Sequence, residues 1–148
     1  MDSVDLKILR CLQKNARMKA SAISEEINLS VSAVTERIRR LESSGIIRQY
    51  TLLLDQQKLN YGIEALMEVR LEHLRYFDTV AAKIQNDPGI VSCYCLTGDC
   101  DFMLRIMTNS TESLEKLHRE IMGLEGVSTT KTYFIIQHLK ENTSLIPN

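Results

Sequence analysis

Asn28-Leu29-Ser30-Val31-Ser32-Ala33-Val34-Thr35-Glu36-Arg37-Ile38-Arg39-Arg40-Leu41-Glu42-Ser43-Ser44-Gly45 is the stretch that decides the fold. Asn28 tolerates the backbone angles of a tight turn, Leu29 plugs a core, and the Ser30 hydroxyl can accept from free N–H groups of a following helix. Val31, Val34, Ile38 and Leu41 make one apolar stripe at helical spacing, and Gly45 ends the helix. The stretch therefore predicts a turn followed by a helix over 31–44.

Working outward, Ile8, Leu9, Leu12 and Ala16 predict an amphipathic helix from about Val4 to Arg17. Ala20 to Asn28 reads as a second, short helix with Ala22, Ile23 and Ile27 inward. Three short helices with a tight second connection are the layout of a helix-turn-helix, with the third helix as the one that enters a DNA major groove. Stepping about 100° per residue from Val34 puts Ile38 and Leu41 on its side. Ser32, Glu36, Arg39 and Ser43 fall opposite, flanked by Ala33 and Arg40. The residues expected at DNA are Ser30, Ser32, Ala33, Thr35, Glu36, Arg37, Arg39 and Arg40. Small polar groups admit the helix to the groove, and the arginines suit phosphates or guanine edges. Glu36 either accepts from cytosine or pairs with Arg40 one turn on.

Charge supports this division. The whole chain of 148 residues carries a net −1, with 44% hydrophobic and 25% charged residues, an ordinary globular composition. Residues 1–48 hold nine basic and six acidic side chains, a net of +3, which leaves −4 for the rest. The sign change marks two modules with different partners.

After Gly45, Ile46 to Leu54 is rich in β-formers and reads as a strand that serves as part of a wing, with Arg48 either near phosphate or solvated. A polar connector runs to Gly62. The alternation of 63–72 predicts a strand. Phe77, Val80, Ala81 and Ile84 mark a helix that Pro88-Gly89 stops. Ile90–Leu96 and Phe102–Met107 read as strands around the turn Thr97–Asp101. Ser110 or Thr111 caps a helix carrying Leu114, Leu117, Ile121 and Leu124, which Gly126 ends before a long strand over 127–139. This β-α-β-β-α-β order predicts a ferredoxin-like sandwich with both helices on one sheet face. The uncovered face predicts an obligate dimer. The organisation is thus α+β: a helix-turn-helix over 1–48, a strand and linker over 49–62, a ferredoxin-like domain over 63–139 and a polar tail over 140–148.

Asp5-Leu6-Lys7-Ile8-Leu9, the run from Glu36 to Ile47 and Thr97-Gly98-Asp99-Cys100-Asp101-Phe102-Met103-Leu104 resemble the Lrp/AsnC (feast/famine) transcriptional regulators. The resemblance covers nearly the whole chain. It implies an N-terminal winged helix-turn-helix and a C-terminal ligand-sensing (RAM) domain that drives assembly into dimers and commonly octamers. It also implies an amino acid or similar small effector held between sensing domains. The corresponding effector turn is Thr97, Gly98, Asp99, Cys100 and Asp101. Gly98 lets a backbone approach closely, turn N–H groups suit a carboxylate, and an aspartate suits an ammonium. A plain hairpin turn needs none of this. Gln137 is the further effector-contact candidate. His138 beside it reads more simply as an exposed or interface strand residue, and the same plain reading holds for Gln137.

Cys93-x-Cys95 and Cys100 lack a histidine close by in sequence, so buried reduced thiols are expected, with no metal site and no cofactor. No apolar run exceeds four residues, which excludes a transmembrane helix. The acidic N-terminus lacks the apolar core of a signal peptide, so the expectation is cytoplasmic. No nucleophile elbow or phosphate-cradling loop suggests an enzyme. The function these features predict is regulation of transcription at a pseudo-palindromic double-stranded site. The alternative is a protein-interaction or ligand-binding module that does not touch DNA.

Overall fold

A computed structural model describes residues 1–140; most of the expected tail over 140–148 lies outside the described residues. The chain divides into two compact units, Met1–Leu53 and Leu54–Leu139.

The first unit is three helices. Helix α1 (Ser3–Lys14) opens on a reciprocal cap. Asp2 Oδ1 accepts from the N–H groups of Val4 and Asp5, each at 2.9 Å, and Asp5 Oδ2 accepts back from Asp2 N–H at 3.0 Å. The helix ends at Asn15, whose carbonyl and side chain turn the chain by accepting from Met18 and Arg17. Ala16, expected on the apolar stripe, is therefore beyond the helix and exposed. Helix α2 (Ala20–Ile27) closes on Asn28 in the left-handed region at φ 57°, and helix α3 (Val31–Ser43) starts on the Ser30 cap. Ile8, Leu12, Ile23, Val34 and Leu41 form the core, with Ile38 and Leu29 against it. Val31, expected in the apolar stripe, is exposed. Gly45 takes φ 74° and lets Ile47 N–H return to Leu41 carbonyl, so Ile47 packs on the core.

The expected strand over 46–54 is not formed. A β-rich sequence needs a partner for its ladder, and within the described chain this segment has none. Leu52, Leu53 and Leu54 stay exposed.

The second unit is a four-stranded antiparallel sheet in the order β2-β3-β1-β4. The strands are β1 (Ile63–Leu71), β2 (Ile90–Cys95), β3 (Phe102–Thr108) and β4 (Val127–Phe134). Helices α4 (Phe77–Gln85) and α5 (Thr111–Met122) complete it. Ala65, Met67 and Val69 of β1 and Phe102, Leu104 and Ile106 of β3 share one face. They bury against Val80 and Ile84 of α4 and Leu114, Leu117 and Ile121 of α5. Alternation thus selects the helix-covered face, as a half-buried sheet requires.

Two boundaries differ from expectation. Helix α5 is capped at Gly123, not Gly126. Gly126 instead sits at φ 91°, and a Cβ there would lie 2.1 Å from the Tyr76 ring. The position needs glycine for both the angle and the close approach. The last strand ends at Phe134 and not Leu139. Phe134 pairs with Ala65, Ile135 N–H reaches Glu64 carbonyl, and β1 begins at Ile63, so residues 136–139 have no strand left to pair with.

Candidate nucleic-acid interface and effector turn

Helix α3 is positioned by its cap and by its arginines. Ser30 Oγ accepts from Ala33 N–H at 3.2 Å and lies 3.2 Å from Ser32 Oγ. Thr35 Oγ1 donates to Val31 carbonyl at 2.8 Å, which holds its hydroxyl along the helix. Ser30, Ser32, Glu36, Arg39 and Arg40 are exposed, while Ala33 and Thr35 are half-buried.

Arg37 behaves differently from its neighbours. Its Nη1 lies 2.7 Å from Asp2 Oδ2 and 2.7 Å from Asp5 Oδ1, and only 26% of its side chain is exposed. Arg40 Nη2 contacts both Asp5 oxygens, at 3.1 and 3.0 Å, but its side chain is 60% exposed. Asp5 itself is 1% exposed. Burial pushes its carboxyl up, but the Asp2 N–H and the Arg37 guanidinium outweigh this and hold it below the ordinary value. Asp2 is brought down to about 2, chiefly by the N–H of Asp5 and then by Arg37.

The sequence groups Arg37 with the DNA-facing arginines. The structure gives it a second task, the ionic link between α1 and α3. Arg40 pairs with Asp5, and not with Glu36, the pairing the sequence leaves open. The sequence does carry a signal for this link. Asp5 falls on the same helical stripe as Ile8 and Leu12, where a carboxylate has no place unless it is paired.

The turn between β2 and β3 holds the expected effector residues. Thr97, Gly98 and Asp99 are exposed and Cys100 is half-buried. Gly98 takes φ 141° with nothing near its missing Cβ. Asp101 is the anchor of the turn. Its N–H donates to Val69 carbonyl at 2.9 Å, its carbonyl accepts from Leu96 N–H at 3.0 Å, and Oδ2 accepts from Leu71 N–H at 2.7 Å. One aspartate thus ties the turn to β1 where the register against β4 shifts. Burial first, then the carboxylates of Glu68, Asp101 and Asp99, push the Cys100 thiol up.

Gln137 lies beyond the end of β4 and is exposed. Its neighbour His138 is tied down: Nε2 lies 2.8 Å from Glu64 Oε2. Glu64 also accepts from Arg105 Nε and is 9% exposed. No local pattern signals this Glu64 cluster, because it joins residues far apart in the chain. Burial raises the Glu64 carboxyl, but Arg105 and then His138 bring it below the ordinary value. The cysteines correct another expectation. Cys11 is buried, but Cys93 and Cys95 are exposed. Among the described residues no helix is long and apolar enough to cross a membrane.

Comparison with known proteins accords with this geometry. Residues 1–48 match the model of a winged helix-turn-helix DNA-binding domain, and residues 64–145 match that of the Lrp/AsnC ligand-binding domain. The HTH-type transcriptional regulator FL11 of Pyrococcus furiosus is 34% identical over 98% of this chain and 95% of its own. LrpC of Bacillus subtilis is 38% identical over 78% of this chain and 79% of its own. A crystal structure of a Neisseria meningitidis transcriptional regulator in complex with L-methionine superposes with a TM-score of 0.93 at 31% identity, covering 98% of this chain and 96% of that one. The chain belongs to the Lrp/AsnC family of DNA-binding transcriptional regulators.

Proposed function

We propose that this regulator reads a pseudo-palindromic double-stranded site with α3 and that an amino acid bound at the Thr97–Asp101 turn modulates it. Residues 1–48 form the DNA-binding part, 49–62 the link, and 63–139 the sensing and assembly part. The observation that carries the DNA reading is the exposed row Ser32, Glu36, Arg39 and Arg40 on α3, opposite its buried stripe. Ser30, Ala33 and Thr35 flank that row near the start of the helix, where groove entry occurs. Arg37 sets the helix through α1. Arg39→Ala is expected to weaken binding and to lower the salt slope by about 0.9 for each phosphate that Arg39 neutralises. Filter or anisotropy titrations at several salt concentrations check this, and an unchanged affinity and slope would remove Arg39 from the interface.

The effector reading is supported by the turn and by relatives. The Neisseria regulator was solved with L-methionine, as was a feast or famine regulatory protein of Mycobacterium tuberculosis, 26% identical with a TM-score of 0.89. Gly98 and the turn N–H groups suit the carboxylate, Asp99 suits the ammonium, and Thr97 and Cys100 complete the turn; Gln137 follows the Glu64 end of β1, away from the Val69–Leu71 end that holds this turn, so it takes no part in the site of its own chain. Asp101 holds the turn in place and keeps its other oxygen for a ligand. A thermal shift against the common amino acids tests this, with methionine expected to stabilise and Gly98→Val expected to abolish the shift. A flat response across all of them leaves a structural turn.

The sheet face away from the helices carries Leu66, Tyr94, Met103, Met107 and Tyr133, with both tyrosines exposed. Such a face favours a homodimer that brings two copies of α3 to one pseudo-palindromic site, and further assembly to an octamer. Light scattering with and without methionine tests both. The protein acts in the cytoplasm and by binding, not by catalysis.

A further inference from the structure

Cys93 and Cys95 stand on edge strand β2, opposite Leu104 and Phe102 of β3, so both thiols project from the helix-covered face of the sheet. Tyr94 between them points to the other face. Buried neighbours would hide such a pair, but here α4 leaves the edge open. A groove of about 350 Å³ runs there, lined by Phe77, Ala81, Ile84 and Phe102 together with the two cysteines. Both cysteines are exposed and free.

The spacing decides what such a pair can hold. Residues i and i+2 of a strand are about 6.6 Å apart, and their Cβ atoms run parallel. A disulfide needs Cβ atoms about 3.5–4.5 Å apart, so direct bonding would tear the strand. A metal held linearly between two thiolates spans about 4.6 Å at a metal–sulfur distance near 2.3 Å. Each C–S bond then leans inward by about 1 Å, within the reach of ordinary rotamers. Zinc asks for four ligands, and no group of three or more His, Cys, Asp or Glu side chains among the described residues is placed to hold a metal. Soft ions that accept two sulfurs remain.

We propose that Cys93 and Cys95 form a two-thiolate clamp for a soft monovalent metal ion of the copper(I) class. One ion binds two thiols and two protons leave to water. No electron moves, and no oxidant is required. Cys100 and the buried Cys11 take no part.

The test uses the full chain, reduced and under argon, with silver(I) as a redox-inert probe of the same charge and softness. One silver ion per chain is expected. It should protect Cys93 and Cys95 from iodoacetamide while Cys100 is alkylated, as read by peptide mass mapping. Cys93→Ser and Cys95→Ser should each lower affinity by at least tenfold, whereas Cys100→Ser should leave it unchanged. Copper(I) delivered from a chelating competitor should give the same stoichiometry and a thiolate charge-transfer band. The wild-type protection map stands even if a variant fails to fold. Protection that extends to Cys100, full affinity in either single variant, or no protection at all overturns the clamp. So does a Cys93–Cys95 disulfide formed with oxidised glutathione, since it would refute the spacing.

Discussion

Among the described residues, each unit buries one carboxylate and holds it with two cationic side chains. Asp5, 1% exposed, meets Arg37 and Arg40; Glu64, 9% exposed, meets Arg105 and His138. The Asp5 cluster joins two helices with two permanent cations, and a backbone N–H from Asp2 adds to it. The Glu64 cluster joins adjacent strands to the segment after β4, and one of its partners is ionic only while the imidazole is protonated. The first is a fixed brace between α1 and α3. The second is a weaker tie on the chain that leaves the sheet. The difference lies in burial and in the permanence of the partner charge.

Acid discharges both carboxylates and should weaken both clusters most severely. Asp2, Asp5 and Glu64 all titrate below their ordinary values in the folded chain, with Asp2 at about 2 against 3.8. Groups with depressed values stabilise the fold above their unfolded values and lose that contribution as pH falls through the folded ones. Melting temperatures should therefore hold steady from neutral pH to about 5 and then fall toward pH 2. Hydrogen exchange should report the loss in both α1 and β1.

Arg37→Met is the next largest change. It leaves the buried Asp5 with only the more exposed Arg40, so it should destabilise more than any other single substitution at either cluster. Urea unfolding should show it, and the salt slope of DNA binding by the remaining folded protein should not change. That outcome separates Arg37 from Arg39. An unaltered stability would make Arg37 a surface arginine like its neighbours. Glu64→Gln should cost less, about 1.5 kcal/mol, because the amide oxygen can still accept from Arg105 Nε. His138→Ala should cost under about 1 kcal/mol, since 39% of the imidazole is already exposed. If His138→Ala costs as much as Arg37→Met, the two clusters are equivalent and the contrast fails.

Much of the fold is legible locally. Asn28, Ser30 and Gly45 act on the backbone at their own positions, and each does in the structure what its chemistry suggests. The alternation in β1 and β3 names the buried face correctly because period two is a local property. The candidate sites are legible as addresses: the α3 row and the β2–β3 turn. What each side chain is committed to is not. Arg37 looks like Arg39 in sequence, and Asp101 looks like Asp99. Only distance to Asp2 and Asp5, or to Leu71, tells them apart.

The sequence by itself determined the helix-turn-helix layout, the β-α-β-β-α-β order and the charge division between the halves, because propensity, capping and periodicity act over a few residues. The tertiary structure alone decided that 46–54 forms no strand, that the last strand stops at Phe134, that Arg37 braces α1, and that Cys93 and Cys95 face an open groove. Each of those depends on a partner distant in the chain. A strand exists only where a ladder receives it, and a charge is free or spent only according to what folding sets beside it.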